Sequence, residues 1–431
     1  MKFAFFLTFT LLALSCGNTS QMTKTVNGTD SSDVYLFEGS QFIRNKDNVI
    51  EIKDDIDLLG KVWKLPKNAR VLGLGGIIRN GTIVGNNNDI VSDSILFGNV
   101  TIQGEWNVSM INTNVFEDLS AVNTLKNVFA LASPNVTNQI VIGQGKYLVE
   151  AKYNKDECLN VVSNTDVMLM GAIEIIPNNY ESYSIVQITG SNINIKGSGT
   201  IIGDKHTHLG KDGEWGMGVK ISNGSKVNIS GITIKDCWGD CIYINKDSKD
   251  ININNCIFDH GRRQGVSIID AMNVTIKDCI ITNVGGADPQ FGIDIEPNRG
   301  DYVDNVIINN VDINNCIGGI TIYGKKKDRA DVQIGRVVVK NCNIHAIKKR
   351  AIKLRFCKRF DMQYCTLSSP KDVNVAYVEG VDNLTIQNNA LKRNSGILSA
   401  GTNAKKNNRS VKEKTPLQIL DCRYQQVGNN E

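Results

Sequence analysis

The sequence predicts an all-β fold, a right-handed parallel β-helix with a short capping helix, on three observations. Strand-like units repeat along the second half of the chain. The repeats set like residues at like positions. Asn and Asp punctuate them where tight bends are needed. Seven segments carry the pattern: 227–234, 251–258, 274–281, 306–313, 337–344, 360–367 and 384–391, with first residues spaced 24, 23, 32, 31, 23 and 24 apart. Each alternates apolar and polar residues, steps through two polar ones, then alternates again, which reads as strand, bend, strand. One such unit cannot bury its apolar face alone, but stacked coils can. A leucine-rich repeat has a similar period, yet its leucine framework is missing and no helical pattern follows each strand. The 32- and 31-residue steps are expected to hold loops inserted on one side.

Columns across the repeats sharpen this. Cys256, Cys279, Cys342 and Cys365 share one position with Ile232 and Val311. Those neighbours point the column inward, and thiols there act as small hydrophobes rather than metal ligands or disulfides. Asn255, Asp278, Asn310 and Asn341 precede the column and suit a left-handed bend. A third strand per coil aligns Gly218–Ile221, Cys241–Ile244, Gly265–Ile268, Gly292–Ile295, Gly319–Ile322 and Ala351–Leu354 as 218–221, 241–244, 265–268, 292–295, 319–322 and 351–354. Period-two alternation turns Lys220, Tyr243, Ser267, Asp294, Thr321 and Lys353 outward. The next outward file is Ser222, Asn245, Ile269, Glu296, Tyr323 and Arg355. The same alternation puts the small residues Gly218, Cys241, Gly265, Gly292, Gly319 and Ala351 outward as well, as a trough fit for an extended polymer. A merely solvated face is the alternative.

The flanks complete the organisation. Lys2 and the apolar run 3–14 read as a signal peptide, too short to span a bilayer. The run ends in Ala13-Leu14-Ser15-Cys16, which resembles the lipobox of bacterial lipoproteins; residues 1–16 are then the signal and Cys16 the lipidated residue. A plain signal peptide with an incidental cysteine is the alternative. Residues 17–34 are a polar tether, and 35–425 one β-helix domain, with 35–118 as irregular N-terminal coils and cap. Leu125, Val128, Phe129 and Leu131 have helical spacing over 123–132. Residues 393–415 read as a polar, basic loop before a last strand at 417–420. A net charge of +4, from 48 basic and 44 acidic residues, is too balanced for a nucleic-acid partner.

Five stretches carry a family resemblance: Gly203-Asp-Lys-His-Thr-His, Gly213-Glu-Trp-Gly-Met-Gly, Asp236-Cys-Trp-Gly-Asp-Cys-Ile-Tyr-Ile, Arg262-Arg-Gln-Gly-Val-Ser-Ile and Ile293-Asp-Ile-Glu-Pro-Asn. With them the chain resembles the pectin-lyase-like superfamily, and within it the polygalacturonase-related β-helix lipoproteins of Bacteroides-type bacteria, over about residues 35–425. The resemblance implies an envelope-anchored protein acting on polysaccharide. It does not transfer a mechanism. Gly239 stands where polygalacturonases have the first of two aspartates, Gln264 replaces their His, and Gly292-Ile293-Asp294 replaces their Arg-Ile-Lys. Only Asp240 carries over as a candidate acid.

The residues suggest chemistry of their own. Asp294 and Glu296 lie two apart on one strand, with backbones about 6.6 Å apart, inside the range of about 6.5–9.5 Å that inverting glycosidases use. Asp240 lies two coils away. These three are the expected catalytic residues; an exposed acidic pair that only binds a cation is the alternative. Arg262 and Arg263 could grip an anionic glycan, or form salt bridges to Asp259 or Asp270. Tyr243, Tyr323 and Lys353 line the same files and, with Gln264 just before Gly265, join them as expected substrate-binding residues. Trp215 could stack on a sugar or pack in a loop. Asp204, His206, His208 and Glu214 form a second cluster, whose spacing matches no common metal pattern. No metal or other cofactor is expected. Three functions remain: a glycoside hydrolase, favoured by the carboxylates; a lyase or uronate epimerase, for which Lys353, Arg355 and Tyr323 could serve; and a non-catalytic glycan-binding protein.

Overall fold

The computed structural model describes residues 47–151, 159–324, 332–394, 416–423, 425–428 and 430, and the backbone of strands Thr23–Thr25, Asp33–Phe37 and Ser40–Arg44. Cys16 and the signal segment lie outside the described residues, as do residues 395–415. The described residues form two compact units, divided between Tyr147 and Leu148.

The N-terminal unit is irregular, as its uneven spacing predicts. Strand Val49–Ile52 pairs in parallel with Arg70–Gly73, which pairs with Gly81–Val91, which pairs with Val100–Trp106. Within residues 17–34, Thr23–Thr25 is a strand, paired antiparallel with Asp33–Phe37. The expected helix is Thr124–Ala130, the one α-helix among the described residues, and it buries Leu125, Val128 and Phe129. Its Asn127 side chain is buried but satisfied, accepting from Ile102 N–H at 2.9 Å and donating to the Val100 carbonyl at 2.8 Å.

The C-terminal unit is a right-handed parallel β-helix. A typical coil contributes Trp215–Ser222 and Ser225–Ser230 to one long sheet and Thr233–Lys235 to a second. The repeat register is the one the sequence implies: Val227 pairs with Ile251, then Val274, Val306, Val337, Phe360 and Leu384 in successive coils. All seven are at most 1% exposed and form the core file. The last predicted strand is present as Leu417–Leu420.

The cysteine column is interior. Cys256, Cys279, Cys342 and Cys365 are buried free thiols, with Ile232 and Val311 in the same file. Each donates weakly to carbonyls, as Cys279 does to Lys277 at 3.1 Å. Asn255, Asp278, Asn310 and Asn341 all have φ near +53°. That left-handed bend exposes side chains that link coils: the Asn310 amide donates to Asp278 at 2.7 Å. The inserted loops do not share one side. Residues 283–290 precede and 296–302 follow strand Phe291–Ile295, so they border it at both ends.

Candidate active site

The outward file of the long sheet forms as expected. Lys220, Tyr243, Ser267, Asp294, Thr321, Lys353 and Tyr377 are register partners in consecutive coils. Apolar neighbours such as Ile293 and Ile295 anchor each strand in the core and push the residue between them to the other face.

The small file does not join that face. A Cβ on Gly265 would lie 2.5 Å from Ile281 Cγ2, on Gly292 2.6 Å from Ile313 Cγ2, and on Gly319 2.4 Å from Ile344 Cγ2. These positions point into the core, against the second sheet. The alternation fails because Gly265 and Gly292 are skipped in a pairing that joins Gln264 to Phe291 and Val266 to Ile293. The backbone turns at the glycine. The residue before this position, Gln264 before Gly265 and Asp240 before the aligned Cys241, comes beside the outward file, where Gln264 meets Asp294 and Asp240 meets Ser267.

That turn assembles the centre of the site. Asp240 is fully buried and accepts from the Ser267 hydroxyl at 2.7 Å. Gln264, also fully buried, donates from Nε2 to Asp294 Oδ2 at 2.9 Å and accepts from Phe291 N–H at 2.9 Å. Asp294 is 3% exposed. Two carboxylates from alternate coils are thus bridged by the Ser and Gln of the coil between. Asp240 Oδ1 and Asp294 Oδ1 are buried and make no hydrogen bond. The expectation that these acids are solvent-exposed is corrected: both are buried. Burial pushes the Asp240 carboxyl up to about 6, against the pull of Arg263 and Ser267. Burial, reinforced by the charges of Glu296 and Asp240, raises Asp294 well above the ordinary carboxylate range.

The remaining predicted residues frame this centre. Arg263 pairs from Nε with Glu214 Oε2 at 2.9 Å and brings Nη1 to 3.7 Å from Asp240 Oδ2. It also donates to the Asp288 carbonyl at 3.2 Å. Tyr243 is half-buried, its hydroxyl pushed up by burial and by Asp240. Glu296 is half-buried and stands just past the strand of Asp294, which ends at Ile295, so the expectation that both acids share one strand is corrected. Towards the C-terminus, Tyr323 lies under Lys353 at 5.8 Å and Arg355 at 5.5 Å. Burial, with Arg350 nearby, pulls the Lys353 ammonium down. Trp215 is 47% exposed at the start of its strand, free to meet a ligand.

Arg262 departs from the salt-bridge reading of it. It makes no salt bridge to Asp259 or Asp270; it stacks on Trp238 at 3.7 Å and donates to the Gly213 carbonyl at 2.8 Å. Asp259 is instead taken by Thr282, Asn283 and His260. The second cluster divides, because 203–210 is turn rather than strand and the two histidines part. His206 faces Asp236 at 3.1 Å, His208 is buried on Asp204 at 2.8 Å, and Glu214 belongs to Arg263. Sequence reasoning missed Ser267 as a site residue although it stood in the right file. It missed Trp238, Tyr183 and Asp288, which the file pattern does not mark.

The buried charge carries a stability prediction. The folded-state value of Asp240, about 6, lies above the ordinary 3.8. Its destabilising effect is therefore absent below the unfolded value, grows as pH rises through that interval, and is complete above the folded value, at most about 3 kcal/mol. Asp240→Asn should unfold at higher urea than the parent at pH 8, and at the same urea at pH 3.5. No gain at pH 8, or an equal gain at both, would refute the assignment.

Comparison with known proteins agrees with this architecture. The family described as "Right handed beta helix region" matches residues 162–300. The SPbeta prophage-derived uncharacterized protein YorA of Bacillus subtilis (strain 168) is 26% identical over 223 residues, covering 44% of this chain and 37% of that protein. The uncharacterized protein YclG of the same organism is 34% identical over 184 residues, covering 36% and 31%. The chain thus spans about a third of the length of these curated relatives. Among solved structures, the A-module of mannuronan C-5 epimerase AlgE6 of Azotobacter vinelandii superposes with a TM-score of 0.53 at 13% identity, covering 65% of this chain and 76% of that module. By fold, the chain is a right-handed parallel β-helix, the architecture named by the family that matches residues 162–300 and shared with the epimerase module.

Proposed function

We propose that the protein is a polysaccharide-degrading glycoside hydrolase in which Asp294 is the general acid and Asp240 the general base. One observation carries the reading: the two buried carboxylates, bridged by Ser267 and Gln264, each keep an oxygen without a partner. A buried carboxylate oxygen is costly to leave unpaired, and a glycosidic oxygen at one and a water at the other would satisfy both. Alternate coils separate such groups by about 9.6 Å, near the upper end of the separation that inverting enzymes use to hold a water. Their environments differ in the needed sense. The more strongly raised Asp294 keeps its proton to donate, while Asp240 is ionised above about pH 6 and can take one. Glu296 serves by its charge, holding Asp294 protonated. Arg263 stands beside Asp240, and Tyr323, Lys353 and Trp215 offer aromatic and cationic contacts along the polymer.

The test is digestion of a polysaccharide panel. The neighbour in fold is named for a mannuronan epimerase, which makes uronate-containing polymers the first to try. New reducing ends without ultraviolet absorbance support hydrolysis. Unsaturated, absorbing product would replace the reading by a lyase with Lys353 as base. Binding without any product would leave a glycan-binding protein.

We further propose attachment to a bacterial envelope through lipidated Cys16, on the strength of the Ala13-Leu14-Ser15-Cys16 sequence. Multiple acyl chains anchor stably where one does not. Cys16→Ser should release the protein from the membrane fraction or block its processing; unchanged retention and processing would refute it.

A further inference from the structure

The second polar cluster lies apart from the paired carboxylates, yet its geometry leads to them. Four planar groups stack in a row. Tyr183 and His208 have ring centroids 6.2 Å apart at 19°, His208 and Trp238 4.0 Å apart at 18°, and the Arg262 guanidinium sits 3.7 Å from the Trp238 ring centre. Asp204 holds the first two members. It accepts from the Tyr183 hydroxyl in a short hydrogen bond and meets His208 Nδ1 at 2.8 Å. The Asn178 backbone and side-chain amides donate to the same carboxylate at 3.2 and 3.0 Å. Asp204 and His208 side chains are fully buried, so this end of the row is fixed.

The free end of the row is where it matters. Arg262 donates to the Gly213 carbonyl, and the next residue, Arg263, pairs with the next residue of the other segment, Glu214. Two adjacent arginines thus staple residues 213–214, and the second of them reaches Asp240. We propose that the Tyr183–His208–Trp238–Arg262 stack is a positioning device: it holds Arg263 against Asp240, and so sets the proton affinity and the cover of the proposed base. The negative face of the Trp238 ring attracts the guanidinium above it. An arginine side chain left unheld has many rotamers among which to lose its pose. This inference rests on Asp240 as the base only for its kinetic consequence; the positioning itself is a property of the folded protein.

The titratable and charged groups facing Asp240 are Arg263, Glu214, Asp294, Tyr243 and the neighbouring Cys241. Among these, Arg263 is the cation that pulls Asp240 down. Its loss must move the carboxyl upward. The measurement is the titration midpoint of Asp240 in full-length protein labelled with carboxyl-¹³C aspartate, the resonance being assigned by its loss in Asp240→Asn. Arg263→Ala should raise the midpoint by about one pH unit, the lower end of what a nearby opposite charge supplies. Trp238→Ala and Arg262→Ala, each with an intact Arg263, should raise it by at least about half that shift. Trp238→Phe, which keeps a ring under Arg262, should restore most of the parent value. Circular dichroism identifies any variant that has not folded. Should Trp238→Ala fail in this way, the more exposed Arg262→Ala decides alone. Folded stack variants with the parent midpoint would overturn the proposal, as would an Arg263→Ala midpoint that does not move. Failure of the hydrolase reading is a separate result: the parent would cleave no glycan while these shifts persist.

Discussion

Asp294→Asn should lower turnover by at least about a hundredfold, the scale of lost acid catalysis, on whichever polymer the parent degrades. An amide fills the same space and can still meet the Gln264 side chain, but it has no proton to give to a leaving oxygen. Asp240→Asn should do the same by removing the base. The pH profile distinguishes these roles from simple damage. Activity of the parent should rise as pH passes through about 6, where Asp240 ionises, and fall at higher pH as Asp294 gives up its proton. That rising limb near 6 should vanish in Asp240→Asn, leaving low activity that no longer rises there. Glu296→Gln should act indirectly. Removing its charge lets Asp294 lose its proton at lower pH, so the descending limb should move down. Full turnover in Asp294→Asn would end the assignment of the acid.

Gly319→Val should destabilise the β-helix by about 3 kcal/mol or more, the upper end of what overpacking a close-packed interior costs. A Cβ at Gly319 would lie 2.2 Å from the Ala351 carbonyl oxygen and 2.4 Å from Ile344 Cγ2, so backbone has to move. Gly292→Val should be costly for the same reason, against Ile313. The fall is read as a lower urea midpoint with an unchanged slope. This result also decides between two placements of the glycine file. If those residues lined the outward trough, valine there would leave the midpoint in place and raise KM by crowding the polymer. A variant with parent stability and a raised KM would overturn the inward placement.

How much of this was legible in the sequence differs by level. The core file Val227 to Leu384, the interior thiols and the left-handed Asn and Asp bends follow from local pattern, because stacking in parallel register makes sequence neighbours one coil apart into spatial neighbours. The outward file through Tyr243, Ser267, Asp294 and Lys353 was legible for the same reason. Period-two counting then failed two residues before that file, at Gly265 and Gly292. It assumes an unbroken strand, and the chain turns at Gly265 and Gly292, which the pairing skips. The failure hid the bridge through Gln264 and assigned the small residues to the wrong face.

While Asp240 came from the family resemblance, the sequence by itself determined the repeat, the outward file from Lys220 to Lys353 and the candidate acids Asp294 and Glu296. These are local properties, set by side-chain alternation and by which residues tolerate a bend. The tertiary structure alone decided that Asp240 and Asp294 are buried, that Ser267 and Gln264 join them, and that Arg262 stacks on Trp238 instead of meeting an acid. It alone parted His206 from His208. Burial and proton affinity depend on what covers a group from other coils and from the loops between them. Those contacts join residues 20 to 50 positions apart, as between Gly213 and Arg262, where no periodicity of the chain records them.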